Sequence, residues 1–306
     1  MANTRQTPTL LTFAQLQNFF VWTAVERDWT DFFWSHQDLL VLSYEDETLP
    51  AGPDSTEAIP YSLYFRAVGT LRYLQQPDVQ PWANHFFAYD HLTLVHRDAI
   101  LSVGGWDTHI PFYGTDCDMY DRLLWAGYWQ GETNIGVILD VSTVLKDIAS
   151  LFRLPGVHAT FAGDPGPGKL AQDEETGEDL RQLEKMLRQK EKAHKKLVEK
   201  EGETWEHLVE VGKRMRDVKY VDGGGWRNNW QQKQTGGKGE PFYRDPDGFQ
   251  TGIQMFIETG RKVFAEKWGH RGCDIVQMGI KVEDAWRLEN DWDPETEGSG
   301  SEGDDW

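Results

Sequence analysis

The chain has few of the features that mark the specialised protein classes. Two cysteines, Cys117 and Cys273, stand in 306 residues. That is too few for a disulfide framework or a zinc site built from thiolates. One bridge between them is open, and two unpaired thiols are the expectation. No run approaches the ~18 apolar residues that a membrane span needs. The first residues, MANTRQTPTLLTF, lack the long apolar core of a secretory signal. Positive charge is scarce as well: 31 Lys and Arg face 50 Asp and Glu, for a net charge of -19. Such a surface repels nucleic acid and anionic membranes, so neither is expected as a partner.

The acids are unevenly spread. Residues 283–306 hold ten acids against one arginine, about half of the total excess. By composition this stretch is a disordered acidic tail. Fourteen tryptophans in 306 residues is a high count. Aromatic faces stack on sugar C–H faces, but they fill cores more often. On count alone the core reading is preferred.

Helices and strands alternate up to residue 150, which predicts an α/β layer fold. Residues 12–25 read as a helix with Phe13, Leu16, Phe19 and Phe20 inward. DFFW (31–34) and LLVLS (39–43) are strand-like and flank SHQD (35–38), an unusual polar interruption between apolar strands. A polar, proline-containing loop covers 45–60 and an amphipathic helix 62–76. Residues 85–100 alternate as one strand, with Phe86, Ala88, Leu92 and Leu94 on one face. A short helix then ends at Gly104 and Gly105, and 134–145 is a buried strand. Segment 161–179 reads as a linker and 180–220 as a charged helical segment. Leu180, Leu183, Leu187 and Leu197 keep a heptad-like seam there, interrupted by Lys190 and His194. A helical hairpin is therefore expected over a stable coiled coil. Residues 221–247 form a Gly-rich loop without the Lys-Ser/Thr of a P-loop. A last helix, 248–269, completes the domain within 248–282.

The chemistry centres on FYGTDCDMYDRLLWAGYW (112–129). Acids in a first helical turn suit the positive end of the macrodipole, and Thr115 is a good N-cap. Capping alone accounts for Asp116 and Asp118. The longer run VHRDAILSVGGWDTHIPFYGTDCDMYDRLLWAGY (95–128), however, resembles the late catalytic segment of GT-A fold nucleotide-sugar glycosyltransferases. There a strand and short helix end in Gly-Gly-aromatic-Asp, and a Glu-Asp-x-Asp cluster opens an Arg-Leu-containing helix. SHQD is similar to the Asp-x-Asp metal motif of that family, with His36 in place of the first Asp. EKWG (266–269) resembles its late Lys-Trp-Gly pattern.

The resemblance covers roughly residues 10–150, with an echo near 255–270, and implies a GT-A-like catalytic region over 10–160 with a mixed sheet and flanking helices. It implies transfer of a sugar from a nucleotide-sugar donor to a carbohydrate or protein hydroxyl. Mn²⁺ or Mg²⁺ would be held by Asp38 and His36, ligand types that suit Mn²⁺. A hydrogen-bonded structural His36 is an equal alternative. Asp116 matches the family's general base, and Asp118 would orient the acceptor or the helix terminus. Trp106, Asp107, Tyr113 and Trp129 are candidates to touch substrate, each also readable as core or turn. Thr115 stands where the family has Glu. Only about thirty residues precede the metal motif, where the family has nucleotide-binding strands, so an N-terminally truncated domain is expected. A Golgi or secretory location would follow if an anchor precedes this chain, and a cytoplasmic one otherwise. The competing reading is a non-catalytic relative that only binds; a third is an unrelated carbohydrate-binding protein.

Overall fold

The computed structural model describes residues 9–45, 62–141, 145–154, 204–220 and 245–292, with the single positions 7, 157 and 159. The linker, the leucine seam, most of the Gly-rich loop and residues 293–306 lie outside them. The described chain is an α/β protein with a mixed sheet and flanking helices, as expected. It divides into two compact units, residues 1–35, 69–134 and 241–306 in one and 36–68 and 135–240 in the other. The 10–160 region read as one domain is thus shared between them.

The first unit opens with α1 (Phe13–Glu26). Thr12 and Gln15 form a reciprocal capping box, so two otherwise unpaired amides are satisfied at the helix start. Its fully buried residues are Ala14, Gln17, Val21 and Ala24. The phenylalanines expected inward only flank the core, because small residues let the helix backbone approach the sheet and the large rings lean around it.

β1 (Asp31–Ser35), β3 (Trp82–Phe86), β4 (Leu92–His96) and β5 (Trp129–Glu132) form a four-stranded sheet in the order β1-β4-β3-β5. β1 and β3 pair antiparallel with β4, and β5 runs parallel to β3. Residues 85–100, expected as one strand, are instead a β-hairpin arm and a helix: β3 ends at Phe86, the chain turns over 87–91, and β4 returns. α3 (Arg97–Ser102) follows and stops at Gly104 and Gly105, both at positive φ. α4 (Thr115–Trp125) then supplies the crossover that a parallel β3–β5 pair requires. Ala14, Val21, Trp34, Val95, Ile100, Met119 and Leu123 meet in the core between these elements.

The central strand β3 buries two polar residues; each has a hydrogen-bond partner, although the His85 Nδ1 is buried with none among the described residues. Asn84 donates to Gln130 (3.1 Å), and His85 Nε2 lies 2.8 Å from the Thr133 hydroxyl. His85 is 2% exposed, and burial pushes its imidazole below the ordinary histidine value, so it sits neutral in the sheet.

The long helix of this unit runs from Pro246 to Trp268, preceded by the Asp245 cap. Among the helices described so far, α2 (Leu63–Leu74) crosses the boundary between the units. Residues 283–292 were expected to begin the acidic tail. They instead fold against the end of the Pro246–Trp268 helix. The Trp286 amide donates to the Lys267 carbonyl, the Asp291 amide donates to Gly269, and Arg271 covers the Trp292 ring.

The second unit contains β2 (Leu39–Leu42) and β6 (Val137–Asp140), an antiparallel pair separate from the larger sheet. The strand-like runs 31–34 and 39–43 therefore belong to two separate sheets. Polar SHQD interrupts the run from β1, and β2 finds its own partner. α5 (Trp205–Tyr220) packs Val211 and Met215 onto Leu139 and Val141. Gly212 permits the close approach: a Cβ there would meet Leu40 at 2.6 Å and Leu139 at 2.8 Å. In chain order the Pro246–Trp268 helix is α6.

Candidate functional site

The three acids of α4, two of them in its first turn, take three different environments. The N-cap is Gly114 rather than Thr115. Gly114 adopts φ 84°, and a Cβ there would stand 2.9 Å from Phe264 on α6. The close approach and the left-handed backbone both demand glycine. Thr115 becomes the first helical residue, with a buried hydroxyl that has no hydrogen-bond partner among the described residues.

Asp118 is 0% exposed and fully engaged. Its Oδ1 lies 2.6 Å from Lys267 Nζ and accepts from Trp268 Nε1 at 3.1 Å. Its Oδ2 meets the Arg122 guanidinium at 2.8 and 2.9 Å. Arg122 also donates to the carbonyls of Val103 and Gly105, which ties the end of α3 to α4. Lys267 reaches further, to Asp107 at 2.8 Å. Burial by itself would raise the Asp107 carboxyl, but the Lys267 ammonium and the His109 amide outweigh it and hold it down to about 2. Asp118 is the hub of a buried ion network joining α4, α6 and the 103–109 loop. It cannot touch a substrate in this arrangement.

Next to Asp118 in sequence, Cys117 is bonded to Cys273. The expectation of two unpaired thiols is corrected: the Cα atoms lie 5.3 Å apart, well placed for a bridge. The disulfide fixes the first turn of α4 to the loop after α6.

Asp116 is only partly buried. The Tyr89 hydroxyl donates to its Oδ2 at 3.1 Å. Tyr89 belongs to the turn between β3 and β4, and its ring stacks against Phe86 at 5.8 Å with the Tyr120 ring edge-on beyond. Tyr120 buries its own hydroxyl without a partner among the described residues. Asp116 thus sits at a helix N-terminus, beside three aromatic rings and a phenol donor. Of the residues named from sequence as reactive, it is the one available to a ligand.

Asp121, an acid given no role from the sequence, is the most perturbed carboxyl of the group. Burial first, and then the charges of Asp118 and Asp274, push it up to about 7. Its Oδ2 is buried with no partner among the described residues. The sequence spacing signals only the Asp118 share, at i−3 on the same helix; Asp274 arrives from a distant loop.

The expected substrate contacts divide. Trp106 is core, 6% exposed and edge-on to Phe13 and Tyr120. Asp107 and Lys267 line an open cavity of about 300 Å³ with Gly104, Gly105 and His109. Tyr113 lies under the Arg261 guanidinium at 4.9 Å. Trp129, half-buried at the start of β5, sets its ring edge against His85.

His36 and Asp38 lie in the second unit, Nδ1 to Oδ1 4.0 Å apart, each side chain about a third exposed. The Asp38 carbonyl accepts from the Val141 amide at 2.9 Å, which anchors it beside β6. Among the described residues no group of three or more His, Cys, Asp or Glu is placed to hold a metal ion. The pair fits a divalent ion only as two ligands, the remainder coming from water or substrate oxygens. No helix among the described residues is long and apolar enough to cross a membrane. Compared with known proteins, the chain matches no family model, no curated protein and no solved structure.

Proposed function

We propose that the chain is a GT-A-like glycosyltransferase that moves a sugar from a nucleotide-sugar donor to a hydroxyl acceptor, with Asp116 as general base. The observation that carries the reading is the setting of Asp116: partly exposed, at a helix start, fixed by the Tyr89 hydroxyl and bordered by Phe86 and Tyr120. The resemblance over residues 95–128 supports it from the sequence side. Asp116 would take the proton from the acceptor hydroxyl as that oxygen attacks the anomeric carbon. The bond from that carbon to the diphosphate breaks, and the nucleoside diphosphate leaves with the electron pair. Direct displacement of this kind inverts the anomeric centre. His36 and Asp38 would hold Mn²⁺ or Mg²⁺, which when bound neutralises the diphosphate. Asp118 holds the α4 terminus and has no chemical part.

The second reading is a protein that binds sugar without turning it over. The sequestration of Asp118 favours it, since one of the two acids expected to act is spent on structure.

One experiment separates the two. Nucleoside diphosphate release is measured with nucleotide sugars, Mn²⁺ and simple glycoside acceptors, for the parent chain, Asp116→Asn and Asp38→Ala. The expected result is a loss of roughly 10²-fold or more in Asp116→Asn with folding intact. The Mn²⁺-induced rise in Tm should be absent in Asp38→Ala. Turnover in Asp116→Asn at the parental rate overturns the base assignment.

A further inference from the structure

Tyr89 stands out on backbone grounds alone. Its φ is 43°, in the left-handed region, where a bulky L-residue is sterically disfavoured. It occupies a turn with ordinary hydrogen bonding: Phe87 donates to Leu92 and His91 to Ala88, each at 3.0 Å. Glycine or asparagine would close such a turn without that strain. What tyrosine supplies and they cannot is a hydroxyl and a ring. The hydroxyl is spent on Asp116, and the residue is 54% exposed although one side of its ring stacks on Phe86. Burial of the phenol, with the charges of Asp116 and Asp90, raises its pKa far above the ordinary tyrosine value, so the hydroxyl stays a donor.

We infer that Tyr89 is the positioning and acceptor-recognition residue of this site: its hydroxyl fixes Asp116 while its exposed ring receives the C–H face of a pyranose. The inference rests on the assignment of Asp116 and narrows the acceptor to a sugar hydroxyl over a serine or threonine side chain. A pyranose presents an apolar face that an aromatic ring can cover, with its hydroxyls at the rim. A ring seated on Tyr89 brings one rim hydroxyl toward Asp116, which the Tyr89 hydroxyl already holds. A short peptide hydroxyl has no such face to offer.

The test uses the full chain and saturation-transfer NMR with methyl glucoside, methyl galactoside, methyl mannoside and N-acetylserine amide. The variants are Tyr89→Phe, which keeps the ring, and Tyr89→Asn, which keeps the left-handed turn and loses the ring. Circular dichroism confirms that each is folded. The parent chain should saturate the protons of one face of at least one pyranoside and none of the serine compound. Tyr89→Asn should bind that pyranoside a few-fold to tenfold more weakly. Tyr89→Phe should keep the binding and the acceptor KM but lower kcat of nucleoside diphosphate release about tenfold, because Asp116 is no longer held. No saturation of any pyranoside by the parent chain, or equal binding by Tyr89→Asn, overturns the inference. Turnover of Asp116→Asn reports separately on the base: its persistence sinks the transferase reading, while the NMR comparison still decides whether Tyr89 is the sugar platform.

Discussion

Replacing Asp121 with asparagine should stabilise this protein at alkaline pH and leave it unchanged in acid. The carboxyl rises from an unfolded value of 3.8 to about 7 on folding. Below pH 4 both states are protonated. Between pH 4 and 7 the folded state keeps a proton that the unfolded state has released, so stability falls as pH rises through this window. Above pH 7 both states are ionised and the full penalty remains. A rise from 3.8 to about 7 corresponds to ~4 kcal/mol at most, and partial exposure reduces this to about 2 kcal/mol. Asparagine mimics the neutral acid, so urea unfolding of Asp121→Asn should match the parent at about pH 3.5 and exceed it by about 2 kcal/mol at about pH 8. His270, held between Asp274 and Asp291, is raised above its ordinary value although burial opposes this, and it weakens the fold in the same direction as pH rises. It is present in both proteins, so the difference between their curves reports Asp121 and its coupling to Asp274. Parallel curves from about pH 3.5 to about pH 8 would refute the reasoning.

Two further perturbations probe the scaffold around α4. Reducing the Cys117–Cys273 bridge, or replacing Cys117 with serine, should lower stability by about 2–4 kcal/mol in urea titrations. A count of two free thiols in the unreduced, unfolded chain would contradict the bridge. Lys267→Met leaves Asp118 and Asp107 without their shared cation and should cost about 3–5 kcal/mol, and Asp118→Asn in the same chain should recover part of it. A loss below ~1 kcal/mol would show that the network does not hold the helix start.

Local signals carried the fold as far as local physics decides it. The apolar runs of β1 and β2, the Gly104–Gly105 stop and α6 were all legible, because propensity and caps are properties of neighbours in sequence. The β3–β4 hairpin was not. Its turn, 87–91, contains no glycine or Asn-Gly pair, and its left-handed position is filled by Tyr89, a residue that turn chemistry does not place there. β5 is four residues of mixed polarity and is stabilised by pairing with β3, which only the tertiary structure provides. The bridge was equally hidden: Cys117 and Cys273 stand 156 residues apart, and a lone pair of cysteines carries no spacing information. For the same reason Asp118 looked as available as Asp116. Its partner Lys267 lies on α6, and the sequence motif EKWG gave no sign that its lysine and tryptophan are spent on one carboxylate.

The helix itself explains why these acids could not work as a single cluster. At about 100° per residue, Asp116 points to nearly the opposite side of α4 from Asp118, while Asp121, three residues after Asp118, lies on the same side as it. The side facing α6 is buried, so Asp118 had to be neutralised by Lys267 and Arg122 to be there at all. Asp121 faces Asp274 with no cation among its assigned interactions, and it carries the cost of that position as a raised pKa. Only Asp116 points toward the hairpin turn, where Tyr89 meets it. A mechanism that pairs Asp116 with Asp118 is therefore excluded by helical geometry before any question of pKa. Chemistry at this helix, if a base carries it, has to combine Asp116 with groups from another segment, and the strained tyrosine across from it is the group the fold has put in place.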